Sequence, residues 1–222
     1  MSATPPSVVP ILATPFGVVP MPEAATLNAT LTAVLAARAA ADTDPSRKAN
    51  PLCYRSPEDL LEWAEPTVQR VAAEMLRGVY TIVAAVNEFD EAQLRSLIPQ
   101  ARCSFAIIRP DGAVPATNHP LTAWCGIYCA AAPVATTARG DRGTLRLYGT
   151  RLATMFTDAT NSAMRVPYMP GHYAWKPVPG QMAVFPASIT HEIGLNRAPG
   201  ELVLMSMRVR FVVPGQLGWS TW

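Results

Sequence analysis

The second half of the chain is built from short apolar runs broken by turn residues, and no other feature constrains the fold so tightly. CSFAIIR (103–109), AWCGIYCAAA (123–132), TLRLYG (144–149), QMAVFP (181–186), ITHEIGL (189–195) and ELVLMSMRVRFVV (201–213) are separated by Gly, Pro, Asn and Asp. Runs of this kind read as strands bounded by turns. At this density they bury their faces by pairing antiparallel, which predicts a sandwich or barrel.

The first half reads differently. From about residue 24 to 98 the pattern is helical: Leu27, Leu31, Val34 and Leu35 fall at helix spacing in an Ala-rich run. In SPEDLLEWAEP, Ser56 is placed to cap a helix with Pro57 at its first position and acids in its first turn. Pro66 then kinks that helix or begins another, continuing through VQRVAAEML, and DEAQLRSLI predicts a third, short one. DTDPSRKANPLCYR between the first two reads as a polar loop. The expected organisation is one domain over 1–222. Residues 1–100 form an extended N-terminal segment and flanking helices, 101–213 a β-core, and 214–222 a tail.

Composition excludes several function classes. A net charge of +2 offers no basic excess for a phosphate backbone, so no nucleic-acid partner is expected. No unbroken run of about 18 apolar residues occurs, so no membrane span is expected. The N-terminal MSATPPSVVPILATPF lacks a positive segment and is interrupted by Pro, unlike a secretory signal. Cys53, Cys103, Cys125 and Cys129 show no CxxC spacing and read as free thiols, which together predicts a cytoplasmic protein. No glycine-rich phosphate loop is present.

The chemistry rests on few residues. His119 lies in an Asn-His-Pro turn at the entrance of one predicted strand, and His191 lies at a turn between two others, where it contributes little packing. In a jelly roll such distant residues meet at one barrel mouth, and two imidazoles there can bind a divalent metal. The third ligand would come from near His119. Thr117, two residues before it, projects to the same side but is a poor ligand, as is Leu121 two residues after. The plainer alternative is polar surface histidine. Cys125 and Cys129 share a face with Ile127, either as soft metal ligands or as small buried hydrophobes. His172, in MPGHYAWKP, lines a substrate mouth or lies on the surface.

Taken together, IIRPDGAVPATNHPLTAWCGIYCAAAP, GTLRLYGTR, PVPGQMAVFPASITHEIGLN and GELVLMSMRVRF resemble the 2-oxoglutarate/iron(II) oxygenases. That family carries an HxHP, SGVYY, DPR and FPSxxxH pattern in the same order. The resemblance implies a mainly β fold with α: a double-stranded β-helix (jelly roll) core flanked by N-terminal helices. It implies Fe(II) held by His119 and His191, 2-oxoglutarate as cosubstrate, and hydroxylation of a small-molecule or peptidyl substrate. Thr117 stands where the family has the first His of its pair, as a catalytic-site hydroxyl that hydrogen-bonds a water or ligand at the metal. Tyr128-Cys129 replaces the aromatic pair, Gly149-Thr150-Arg151 replaces DPR, and Leu202 and Leu204 replace the Arg and Ser of the last strand.

A buried carboxylate needs a cation and hydroxyl donors. Strand alternation puts Leu202, Leu204, Ser206, Arg208 and Arg210 on one face, so Ser206 and Arg208 are the candidate 2-oxoglutarate anchors, with Arg151 in reserve. Alternatively, Arg208 and Arg210 are solvated strand-end charges. Two other functions stay open: a jelly-roll binding module that has lost catalysis, and a cupin-like enzyme holding its metal with His and Cys. The sequence leaves the oligomeric state open.

Overall fold

In the computed structural model, residues 13–134, 142–149, 164, 166–168 and 171–213 are described. The alternation of LVLMSMRVRFV sets the architecture. As strand β10 (Leu202–Val212) it lies between β3 (Ile98–Ile108) and β5 (Trp124–Ala131), antiparallel to both. Beyond β5 lies β8 (Gln181–Pro186), and β1 (Gly17–Pro20) pairs with its outer side. Beyond β3 lies β2 (Cys53–Arg55), completing the order β1-β8-β5-β10-β3-β2.

The smaller sheet contains β4 (Val114–Thr117), β9 (Thr190–Ile193), β6 (Leu145–Tyr148) and β7 (His172–Trp175), in that spatial order. Two antiparallel sheets with these non-sequential neighbours form a jelly roll, mainly β with helices outside, as the strand pattern predicted.

The helices among the described residues are α1 (Ala24–Ala41), α2 (Pro45–Lys48), α3 (Pro66–Val86) and α4 (Glu91–Ser96). Of these, α1 and α3 cover the outer face of the larger sheet, and the short α2 and α4 bury no residue. Pro66 begins a helix rather than kinking one: Glu65 caps α3 by accepting from the Val68 N–H. The helix expected after Ser56 shrinks to a single 3-10 turn, Leu60–Glu62. The cause is local, because Ser56 is tied to β3 instead. Its N–H donates to the Phe105 carbonyl, and its hydroxyl accepts from the Phe105 N–H. The supposed polar loop before it contains α2 and β2, drawn together as Arg47 and the Tyr54 hydroxyl both donate to Asp42.

Alternation divides the larger sheet's side chains between two cores. Outward, Met205, Met207, Tyr128 and Met182 pack with Leu31 and Leu35 of α1 and Val71, Met75 and Val79 of α3. Inward, Leu204, Ile127, Cys125 and Phe185 meet Leu145, Leu147 and Ile193 of the smaller sheet. Each such fully buried side chain contributes about 1.5–3 kcal/mol. By length and mean hydropathy α1 meets the criterion for a membrane-crossing helix, although no run of its sequence is uniformly apolar. In this fold it sinks Leu31 and Leu35 completely into the outer core.

Candidate active site

The inner core opens at one end into a cavity of about 630 Å³, counting the solvent at its mouth. His119, His191, Thr117, Ser206 and Arg208 all line it. Arg151 lies outside the described residues.

His191 is a strand residue, not a turn residue, and that changes its weight. It is 6% exposed in β9, with Thr117 of β4 opposite it on one side and Leu147 of β6 on the other. Alternation turns His191 and Ile193 inward. Glu192 turns away and accepts hydrogen bonds from Arg146 and the Tyr148 hydroxyl. The His191 ring packs against Phe185 in a T-shaped contact, with centroids 4.9 Å apart. Its Nδ1 lies 2.9 Å from the Ile189 carbonyl. A carbonyl only accepts, so Nδ1 carries the proton and the Nε2 lone pair is left available.

His119 lies in the turn after β4. That turn is clamped to the end of β8, as the His119 N–H donates to Ala187 and the Thr122 N–H donates to the His119 carbonyl. The two imidazole centroids are 5.5 Å apart and tilted by 59°. Arg208 Nη1 lies 3.2 Å from His119 Nδ1. A guanidinium only donates, so Nδ1 is the acceptor and the neutral ring carries its proton on Nε2. Arg208 also donates through Nη2 to Glu58, from the segment before the 3-10 turn. It is therefore a held cavity residue and not a solvated strand-end charge. Arg210, further along, donates to Gln100.

Burial is the main force lowering the pKa of both imidazoles. For His119 the charges of Arg208 and His191 add to it, down to about 4; for His191 the Ile189 carbonyl partly opposes it. A histidine whose folded pKa is depressed contributes stability that is complete above its unfolded value and lost as pH falls through the folded one. For His119 that window runs from 6.5 down to about 4. Thermal midpoints are expected to fall on acidification across this window, and His119→Gln should flatten the slope. An unchanged slope in the variant would mean that His119 titrates as it does in the unfolded chain.

With metal–nitrogen bonds of about 2.0–2.1 Å, two rings 5.5 Å apart can share one ion. His191 suits that role as it stands. His119 suits it once Arg208 releases Nδ1, which can then carry the proton and leave Nε2 to coordinate. Among the described residues no three His, Cys, Asp or Glu side chains are grouped to hold an ion. Cys125 lines the cavity but does not make a His/His/Cys trio, and burial pushes its thiol up to about 12. Thr117 supplies a hydroxyl beside His191, and among the described residues it makes just a long 3.4 Å contact to the Asn118 carbonyl.

The polar groups that suit an acid ligand lie near the mouth. Ser206 and Arg208 face the cavity as alternation predicted. Leu204 and Leu202, on the same face, are almost fully buried, four and six residues before Arg208 in the strand, roughly 13–20 Å from it. The deep end therefore holds no cation on this strand. Ser104, directly opposite Ser206, also lines the cavity, as do Arg55 and Glu58. Sequence reasoning missed these three. Alternation in CYR carried a signal for one: Cys53 joins the inner core and Tyr54 the outer, which turns Arg55 inward. Tyr128 points outward to donate to Asn28, and Cys129 takes the inward place beside it. His172 lies exposed on β7, 5.8 Å from Tyr148 between ring centroids.

No protein-family model and no curated protein matches the sequence. Solved structures do share the architecture. A prolyl-4-hydroxylase from Pseudomonas putida is 17% identical, with 88% of this chain and 91% of that chain covered at a TM-score of 0.53. The non-heme alpha-ketoglutarate-dependent epimerase SnoN of nogalamycin biosynthesis is 13% identical, with 87% and 75% covered at 0.58. HygX from Streptomyces hygroscopicus, solved with nickel and 2-oxoglutarate bound, is 12% identical, with 94% and 86% covered at 0.56. At these identities the likeness establishes the fold, the jelly roll of 2-oxoglutarate oxygenases.

Proposed function

We propose that the chain is a divergent iron(II)- and 2-oxoglutarate-dependent oxygenase acting on a small-molecule or peptidyl substrate. The observation that carries this reading is the convergence of His119 and His191, 5.5 Å apart, at the open end of the barrel. It is supported by a fold shared with a prolyl-4-hydroxylase and with a protein solved holding nickel and 2-oxoglutarate. Iron held there would supply the redox chemistry, activating O2 at the expense of 2-oxoglutarate to hydroxylate a C–H bond.

The residues have separable roles. His191 would ligate through Nε2, its ring fixed by the Ile189 carbonyl and braced by Phe185. His119 would ligate from the clamped turn. Arg208 and Ser206 would take the carboxylate of the acid, the guanidinium offering two parallel N–H donors. The Thr117 hydroxyl would hold a water or a polar substrate group beside His191. Ile127, Ile193 and Leu204 line the cavity with apolar surface that excludes water.

A second reading is favoured by one observation: Arg208 occupies His119 Nδ1. A jelly roll that kept an acid-binding cavity and lost its metal would have this arrangement. Anaerobic titration with Fe(II) and then 2-oxoglutarate separates the two. The oxygenase takes up one iron per chain, develops a weak visible band on adding 2-oxoglutarate, and loses both in His191→Gln. Retained acid binding without iron uptake would establish the binding module. Glutamine is chosen because His191 is buried, so truncation to alanine would also open a void.

A further inference from the structure

We infer that the mouth of the cavity is a carboxylate subsite formed by Arg55 and Arg208 over Ser104 and Ser206, and that filling it draws Arg208 off His119 so that acid and metal bind cooperatively. The coupling rests on the oxygenase reading above; the subsite does not.

Four side chains and one contact lead to it. Ser104 and Ser206 sit directly opposite each other on β3 and β10 and both line the cavity. Arg208 follows Ser206 on the same face, and Arg55 enters from edge strand β2. The Arg55 side chain makes no hydrogen bond or ion pair with the described residues, so its guanidinium is available to a ligand. Glu58 opposes these two arginines and is engaged by Arg208. Glu192 is turned to Arg146 and Tyr148. The cavity is lined by two arginines and two acids, and with Glu192 engaged by Arg146 and Tyr148 and Glu58 by Arg208, the Arg55 guanidinium faces a ligand with hydroxyl donors beside it. Such a set suits a planar carboxylate and opposes a bare divalent cation.

The coupling follows from donor and acceptor bookkeeping. A neutral imidazole has one lone pair, and in His119 that pair is given to Arg208 Nη1. A metal at Nε2 requires the proton to move to Nδ1, which ends the hydrogen bond from Arg208. The metal and the guanidinium therefore compete for one ring. A carboxylate brings a full negative charge and two acceptor oxygens to a guanidinium, where neutral His119 offers a single lone pair, so an acid at the mouth outcompetes His119 for Arg208. Each ligand removes the obstacle to the other, and the effect must be reciprocal.

The test uses Co(II), followed by its d–d absorption in the full chain, with and without succinate. Succinate has two carboxylates and no 2-oxo group with which to chelate the metal. In the wild type, succinate should tighten Co(II) binding by about tenfold. Arg208→Leu should bind Co(II) tightly with or without succinate. Arg55→Gln should weaken the succinate effect and leave Co(II) affinity in its absence unchanged. Circular dichroism checks each fold, and Arg208→Gln replaces the leucine variant if that one does not fold.

Equal Co(II) affinity with and without succinate in the wild type overturns the coupling. So does an enhancement that survives in Arg208→Leu, because the acid would then be binding the metal directly. Calorimetry of succinate with metal-free protein reads the subsite alone. Binding lost in Arg55→Gln supports it, and no binding overturns it. Failure of every variant to take up Co(II) removes the oxygenase reading together with the coupling, whatever calorimetry reports on the acid.

Discussion

Phe185→Ala is expected to destabilise the protein by about 3–5 kcal/mol, the largest effect of any single truncation in the inner core. The ring is fully buried between the two sheets. It stacks on Phe16 and makes a T-shaped contact with the His191 ring, with centroids 6.5 and 4.9 Å apart. Removing it loses the transfer energy of the ring and leaves a void that two paired sheets cannot close. For a chain of this size the melting temperature should drop by roughly 6–20 °C. Phe185→Leu, which keeps more of the volume, should cost less than half as much. The His191 ring would also lose its brace, so metal uptake in surviving Phe185→Ala should weaken more than in Phe185→Leu. Denaturant unfolding followed by circular dichroism is the check, and a loss under about 1 kcal/mol would contradict the ring's burial.

Asn196→Ala is the second large effect, and its cause is polar. Asn196 is fully buried in the connection between β9 and β10. Its amide donates to the carbonyls of Ile108 and Gly200, and its side-chain oxygen accepts from the Ala198 N–H. Its backbone bonds to Asp111 and Gly112 on the turn after β3. Alanine would strand the Ile108 carbonyl and the Ala198 N–H, both on buried residues, at about 1–3 kcal/mol for each left unsatisfied, while exposed Gly200 can turn to water, for an expected total of about 3 kcal/mol. Asn196→Asp keeps the shape but loses both donations and turns a buried carboxylate oxygen on the Ile108 and Gly200 carbonyls, so at neutral pH it should be no more stable than alanine. Equal stability of all three would show that water replaces the amide.

The sequence foretold what alternation and turn residues encode locally. All six apolar runs of the second half contain strands, because each is an apolar run bounded by turn residues; β5 and β8 are buried on both faces, while β6, β9 and the later part of β10 alternate. That alternation also put Ser206 and Arg208 on the cavity face. The strands that went unseen are GVVP, CYR, VPAT and HYAW. They are three or four residues long, and distant partners give them their pairing. Ser56 failed as a cap because β3 claimed it, a tertiary contact without a local signature. Within the site, the approach of His119 to His191 was legible from fold and spacing. The Arg208 contact to His119 was not, since it depends on where Glu58 arrives from the helical half.

The larger sheet begins and ends with strands drawn from the first quarter of the chain: β1 on one margin and β2 on the other. Gly17 sits across from Val184, so β1 has nothing to pair with until most of the polypeptide has left the ribosome. Sequence-distant pairings of this kind slow folding. They also leave the flanks of β8 and β3 bare in any fragment that starts after β2, inviting strand addition from another molecule. The N-terminal segment thus acts as a hem that is sewn last, and shortening it should show first as lower soluble yield.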